Sequence, residues 1–199
     1  RFLALGGDAA APVHENGISL WGAYIDGPLD LNHCDVPVPL VLVSCCIDGP
    51  LKVLQATTRP INLHGSHIAG LEGDGLATQG GLMLRNGFKA TGEVRLLNAE
   101  IGGDLACRNG TFENPKGNAL NADRLKTTGN VSLNDGFKAT GDVRLLGANI
   151  GGNLECKNGI FENQNGRALS ADGLKTAGDV ALDDGFKATG EVRLLGADI

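Results

Sequence analysis

The chain has 199 residues, a formal net charge of −6, a pI near 5.1 and only 4% aromatic residues. Its 31 glycines accompany 42% hydrophobic residues, enough apolar surface to bury, and this excludes a disordered glycine-rich linker. The acidic balance argues against general nucleic-acid binding but leaves a basic protein partner open. The longest apolar run, Val36 to Val43, is too short for a bilayer and is broken by Pro37 and Pro39.

In chain order, Ile18-Ser19-Leu20, Ala23-Tyr24-Ile25, Leu29-Asp30-Leu31, Leu51-Lys52-Val53 and Ile61-Asn62-Leu63 read as short strands or corners, because apolar residues alternate. Leu40, Leu42, Cys45 and Ile47 repeat the frame of Ile18, Leu20, Ala23 and Ile25. Gly75-Leu76-Ala77-Thr78 matches Gly173-Leu174-Lys175-Thr176. The 31 residues from Leu51 to Leu82 read as a coil with an insertion or a partial extra turn. Residues 1–81 are therefore expected to form irregular coils.

Residues 82–199 carry a repeat of 49 residues. Gly-Phe-Lys-Ala-Thr-Gly starts at Gly87, Gly136 and Gly185, each time followed by an acid and Val-Arg-Leu-Leu. Strand starts at Leu82, Leu105, Val131, Leu154 and Val180 are 23, 26, 23 and 26 residues apart, so the repeat is a short coil and a long one. Each coil has a strand, an Asn-Gly or Asp-Gly turn that suits φ > 0, a Phe, a second strand and an Ala-x-Ile or Ala-x-x-Leu corner. Phe88, Phe112, Phe137, Phe161 and Phe186 are expected to share one inward ladder. The period of two and the frequent glycines exclude a helical repeat. Such coils stack into an all-β parallel solenoid of about eight turns, roughly 40 Å long at the strand spacing, forming one continuous body. The start at Arg1 and the stop within a repeat read as a piece of a longer solenoid.

The coil text Gly147-Ala148-Asn149-Ile150-Gly151-Gly152-Asn153-Leu154-Glu155-Cys156 resembles pentapeptide-repeat and related β-solenoid proteins. With Ala168 to Leu174 and Gly190 to Ala197 it is closer to long bacterial repeat proteins often labelled "membrane-associated oxidoreductase". The resemblance spans Ile18 to Ile199 and implies a right-handed solenoid. No dinucleotide, flavin or haem motif accompanies it, so no cofactor is expected. The steps from Val131 to Val143 to Leu154, 12 and 11 residues, depart from strict pentapeptides.

The candidate chemistry reads mostly as scaffold. The five cysteines are an odd number and point to a reducing compartment rather than a disulfide framework. Cys107 and Cys156 lie two coil steps apart, about 9.6 Å and beyond the roughly 7 Å that a disulfide spans, in a column shared with Leu133 and Leu182. They are expected to be core residues. His33, Cys34, His64 and His67, with Cys45 and Cys46, are weak metal candidates because their spacings match no compact ligand motif. His67, between Ser66 and Ile68, should face outward, Ser66 and Ile68 being aligned with Ala148 and Ile150. Glu93 with Arg95, Asp142 with Arg144, and Glu191 with Arg193 read as i, i+2 pairs on an outer face, with Asn118 and Arg167 at the acid's place in the long coils. Thr91, Thr140 and Thr189 recur only every second coil, too sparsely for an ice-binding ladder. No catalytic residue stands out. The expected role is a structural scaffold that presents a lateral surface to a protein partner or to itself, end to end included. A polysaccharide-active or redox solenoid and an acidic DNA mimic are the alternatives. Nucleic acid is not expected as a partner. The expected location is the cytoplasm, with membrane association only through segments outside this chain.

Overall fold

The computed structural model describes residues 5, 7, 13, 14 and 16–199. The expectation drawn from Arg1, and the first part of the irregular region, lie outside the described residues. The rest is all-β. Eight coils start at Ile18, Leu40, Ile61, Leu82, Leu105, Val131, Leu154 and Val180, and these residues pair in that order in one parallel eight-stranded sheet. A second, ten-stranded sheet and a third, seven-stranded sheet complete each turn. All three are parallel and in coil order, so each segment pairs with its counterpart one turn away.

Each coil supplies four pairs of inward residues. In the sixth coil these are Val131/Leu133, Phe137/Ala139, Val143/Leu145 and Ala148/Ile150, all buried. Two corners per coil turn through the left-handed region. At the corner between the first and second sheets, Ser44, Asn86, Asn109, Asp135, Asn158 and Asp184 have φ between 44° and 54°. This is why Asn or Asp recurs there: a short polar side chain tolerates that backbone best among non-glycine residues.

Leu51 is not a coil start. It pairs with Leu29 and Leu71 in the second sheet, whereas Leu82 pairs with Ile61 and Leu105 in the first. The interval between them is one and a half ordinary turns, so of the two expectations the partial extra turn holds and the insertion does not. The second and third coils are 21 residues each, Leu40 to Pro60 and Ile61 to Gly81.

The 49-residue period has a packing cause. The five Phe rings form one stack, with centroids 5.1–5.4 Å apart and planes tilted by 45–51°. The rings come from two backbone positions in alternation. Short coils place Phe88, Phe137 and Phe186 at the corner, followed by Ala90, Ala139 and Ala188. Long coils place Gly110 and Gly159 at the corner and bring in Phe112 and Phe161 two residues later. A β-carbon on Gly159 would lie 2.6 Å from the Leu133 carbonyl oxygen and 2.8 Å from the Phe161 ring. Large therefore meets small between neighbouring turns, which fills the core without overpacking.

The same exchange occurs at the far corner. Leu96/Ala99, Ala122/Leu125, Leu145/Ala148 and Ala171/Leu174 alternate large-small with small-large, all eight buried. Ala99 and Ala122 are thus not equivalent positions. Buried Thr127 and half-buried Thr176 alternate with Ile101 and Ile150, and each threonine hydroxyl donates to a glycine carbonyl two residues on, at 2.8 and 3.2 Å.

Candidate functional site

The long coils differ from the short ones on one edge. In the sixth coil the second sheet is crossed by Lys138–Arg144, seven residues; in the fifth and seventh it is crossed by Thr111–Asn121 and Ile160–Ser170, eleven each. The register shifts at these places, between Glu113 and Asn118 and between Glu162 and Arg167. Inward residues on either side stay buried: Phe112 and Leu120, Phe161 and Leu169. The extra residues around Lys116 and Gln164 therefore bulge outward, while Ala119 and Ala168, at the second register shift, are buried. Asn114 and Asn163 hold the bulges, donating to the carbonyls of Asn118 and Arg167 at 2.8 and 3.1 Å.

Between the two bulges, over the shorter sixth coil, lies an open groove of about 340 Å³ lined by Pro115, Thr140, Gly141, Glu162, Asn163 and Thr189. The same edge carries a second recess of about 430 Å³ in coils two to four, where Pro50, Gly70, Glu93 and Arg95 contribute. The residues of the bulges were legible only as three extra positions per long coil, and nothing in their composition marks them as a site.

The outward charges pair differently from the i, i+2 expectation. Arg95, Arg144 and Arg193 reach back one turn to Asp74, Asp123 and Asp172, at 2.6, 2.6 and 2.7 Å. Asp123 and Asp172 also accept from the backbone N–H of Leu146 and Leu195, at 3.0 and 2.8 Å. The acids two residues before the arginines turn to the long coils. Glu93 accepts from Asn118 at 3.0 Å, Asp142 accepts from Asn163, and Glu191 pairs with Arg167 at 3.1 Å. Neighbours along a strand lie further apart than counterparts in adjacent turns, so pairing runs between coils. Asn118 and Arg167 do stand opposite the acids Asp142 and Glu191.

The weak metal candidates are not brought together. His33, with φ of 56°, sits with partly buried Cys34 in the first coil, at the corner leading into the third sheet. His64 and His67 flank the opposite corner of the third coil, between the first and second sheets. His67 is exposed, as expected, but Ser66 and Ile68 align with Phe88 and Ala90 rather than with Ala148 and Ile150. Ser66 is buried and bridges turns, donating to the Leu42 carbonyl at 2.8 Å and accepting from the Cys45 N–H at 2.9 Å. Cys45 is buried and Cys46, one residue on, is exposed. Among the described residues, no three His, Cys, Asp or Glu side chains group as metal ligands would.

Cys107 and Cys156 are buried free thiols in the column of Leu84, Leu133 and Leu182, and burial pushes both thiols well above the usual range. Thr140 and Thr189 line the groove between the bulges. No helix among the described residues is long and apolar enough to cross a membrane.

Comparison with family models, with curated proteins and with solved structures found no match. The architecture, a parallel β-solenoid of stacked coils, is consistent with the pentapeptide-repeat type of fold.

Proposed function

We propose that the protein is a non-catalytic β-solenoid scaffold that presents a lateral surface to a protein partner, and that this surface is the edge carrying the bulges. One observation carries the reading. Beside Ala119 and Ala168, which are buried, both long coils add residues that are exposed and serve no inward column, among them Pro115, Lys116 and Gln164, and project them at the same place on the same edge. Ordering a residue costs about 1–2 kcal/mol of backbone entropy, and burial on this edge does not offset it. Contact with a partner would. The reading is also supported by how the charges are used, since most outward ion pairs bind one turn to the next.

The resemblance to long bacterial repeat proteins fits this reading as a likeness of coils. The shared phrases, Ala168 to Leu174 and Gly190 to Ala197, supply inward columns and corner residues rather than exposed groove residues. We therefore propose that it concerns architecture and not redox chemistry.

The test is site-specific photocrosslinking in cells making the full-length protein. A photoreactive residue is placed at Lys116 or Gln164 on the bulges, or at Thr128, just after the third-sheet strand Lys126–Thr127; all three positions are exposed. Discrete protein adducts are expected from the first two only. Equal labelling from Thr128, or no adduct from either bulge, overturns the proposal.

A further inference from the structure

A different edge, the corner between the first and second sheets, carries an arrangement that the chain's net charge of −6 conceals. Backbone bonds from Ser44 N to His64 O, Gly65 N to Arg85 O and Asn86 N to Arg108 O, at 2.8, 3.1 and 2.9 Å, stack His64, Arg85 and Arg108 in three successive turns. Across the corner the next outward column runs His67, Lys89 and Thr111. On the sheet side the neighbours are Asn62, Met83 and Ala106. Of the carboxylates nearest this corner, Glu113 is taken by Lys89 at 2.9 Å, and Asp135, opposite Asn109 in the next turn, makes no ion pair with Arg108.

Arg85 and Arg108 thus face each other in adjacent turns with no acid between them. Like charges directly opposite on neighbouring strands are destabilising. Lys52, Arg95, Lys126, Lys138, Arg144, Lys157, Arg167 and Arg193 have carboxylate partners, whereas Arg59, Lys116, Arg124, Lys175 and Lys187, like Arg85 and Arg108, have none among the described residues. The Arg85 Nε is also buried without any hydrogen-bond partner. A buried donor left unmade is costly. Three cationic or protonatable side chains in one column, none of them in an ion pair among the described residues, resemble a site awaiting its counter-charge.

We infer that this corner is an oxyanion site in which Arg85 and Arg108, with His64 beside them, hold a tetrahedral phosphate- or sulfate-class group. A guanidinium fork matches such oxygens in a bidentate way. The group is either a free anion or one member of a short chain lying along the axis, since each turn offers a further cation. The site goes beyond the lateral-partner reading and lies on a separate edge, so it stands or falls independently.

Calorimetric titration of the protein at low ionic strength tests it, with orthophosphate and tripolyphosphate as probes. Arg85→Gln, Arg108→Gln and Lys175→Gln, the last on the third sheet, are compared after circular dichroism and melting show each to be folded. Each arginine change is expected to weaken binding about tenfold, the loss of one charge-assisted contact, while Lys175→Gln leaves it unchanged. Tighter tripolyphosphate binding identifies a chain as the source and equal binding a single anion; both uphold the site. Failure of both probes at millimolar concentration overturns it, as does an equal loss in Lys175→Gln, which would show only general charge attraction.

Discussion

Coils one to three and coils four to eight solve the same problem in two ways. In the first region the corner pairs are Ala23/Ile25, Cys45/Ile47 and Ser66/Ile68, a small residue and an isoleucine every time. Every turn is alike, so turns of near-equal length stack and no double period arises. In the second region Phe/Ala turns alternate with Gly/Phe turns. A ring is too large to sit in the same position on successive turns, so its place shifts by one corner step, and the backbone adjusts its length with it. The comparison teaches that a long repeat unit can arise from core volume alone. Function need enter only through the exposed extra residues of the long coils, around Lys116 and Gln164, which the core does not use.

The sharpest way to break this comparison is to empty the middle of the ring stack. Phe137 is buried and touches rings on both sides. Phe137→Ala is expected to cost about 3–5 kcal/mol, whereas Ile47→Val in the uniform region should cost about 0.5–1.5. Urea unfolding of the two variants checks it. Equal losses would show that the alternation has no special role.

The second test adds volume instead of removing it. Gly159→Ala forces a β-carbon against the Leu133 carbonyl and the Phe161 ring, and is expected to cost about 1–3 kcal/mol. Phe161→Ala made together with it should recover part of that penalty, because the atom in the way is gone. The reverse, a larger loss in the double variant than the two single losses combined, would mean that the glycine is needed for its backbone rather than for the ring.

The third test uses pH. Cys107 and Cys156 occur only in the long coils, and Leu63 and Leu84 fill the same column earlier. Burial raises both folded thiols, so their contribution is whole below the unfolded thiol pKa of about 8.5 and is lost as pH rises above it. Unfolding free energy measured under reducing conditions should fall between pH 8 and pH 10. The slope approaches roughly 1.4 kcal/mol per pH unit for each thiol. Cys107→Val with Cys156→Val should flatten that slope. An unchanged slope would show that other groups set the alkaline limit.

Much of this was legible in the residues, and the part that was not has a physical reason. Alternation of apolar residues gives strands, Asn-Gly gives the left-handed corner, and the return of both at fixed intervals gives the stack. Pairing between turns was harder. Arg144 stands two residues from Asp142, yet it binds Asp123, 21 residues away, because a turn of the solenoid brings distant residues closer than strand neighbours. The same blindness hid Arg85 and Arg108, which are ordinary surface residues until the coils are stacked. Leu51 misled for a related reason: its apolar frame is identical on every side of the turn, so local pattern cannot say which side it occupies.

The smallest expected effect separates the charges that hold turns together from those that only decorate them. Lys126 and Glu100 meet at 2.9 Å, but their side chains are 64% and 61% exposed. Water and salt screen such a pair, so Lys126→Met should change stability by about 0–1 kcal/mol. Asp123 is different. It is 13% exposed, binds Arg144 and also accepts the N–H of Leu146, so one carboxylate ties two groups of the next turn. Asp123→Ala leaves an N–H and a half-buried guanidinium without their acceptor, and about 1–3 kcal/mol should be lost. Both pairs join a long coil to a short neighbour, so geometry alone does not distinguish them; burial does. If the two variants melted alike, the Arg–Asp column would count as surface decoration, and the ring stack alone would join the short and long turns.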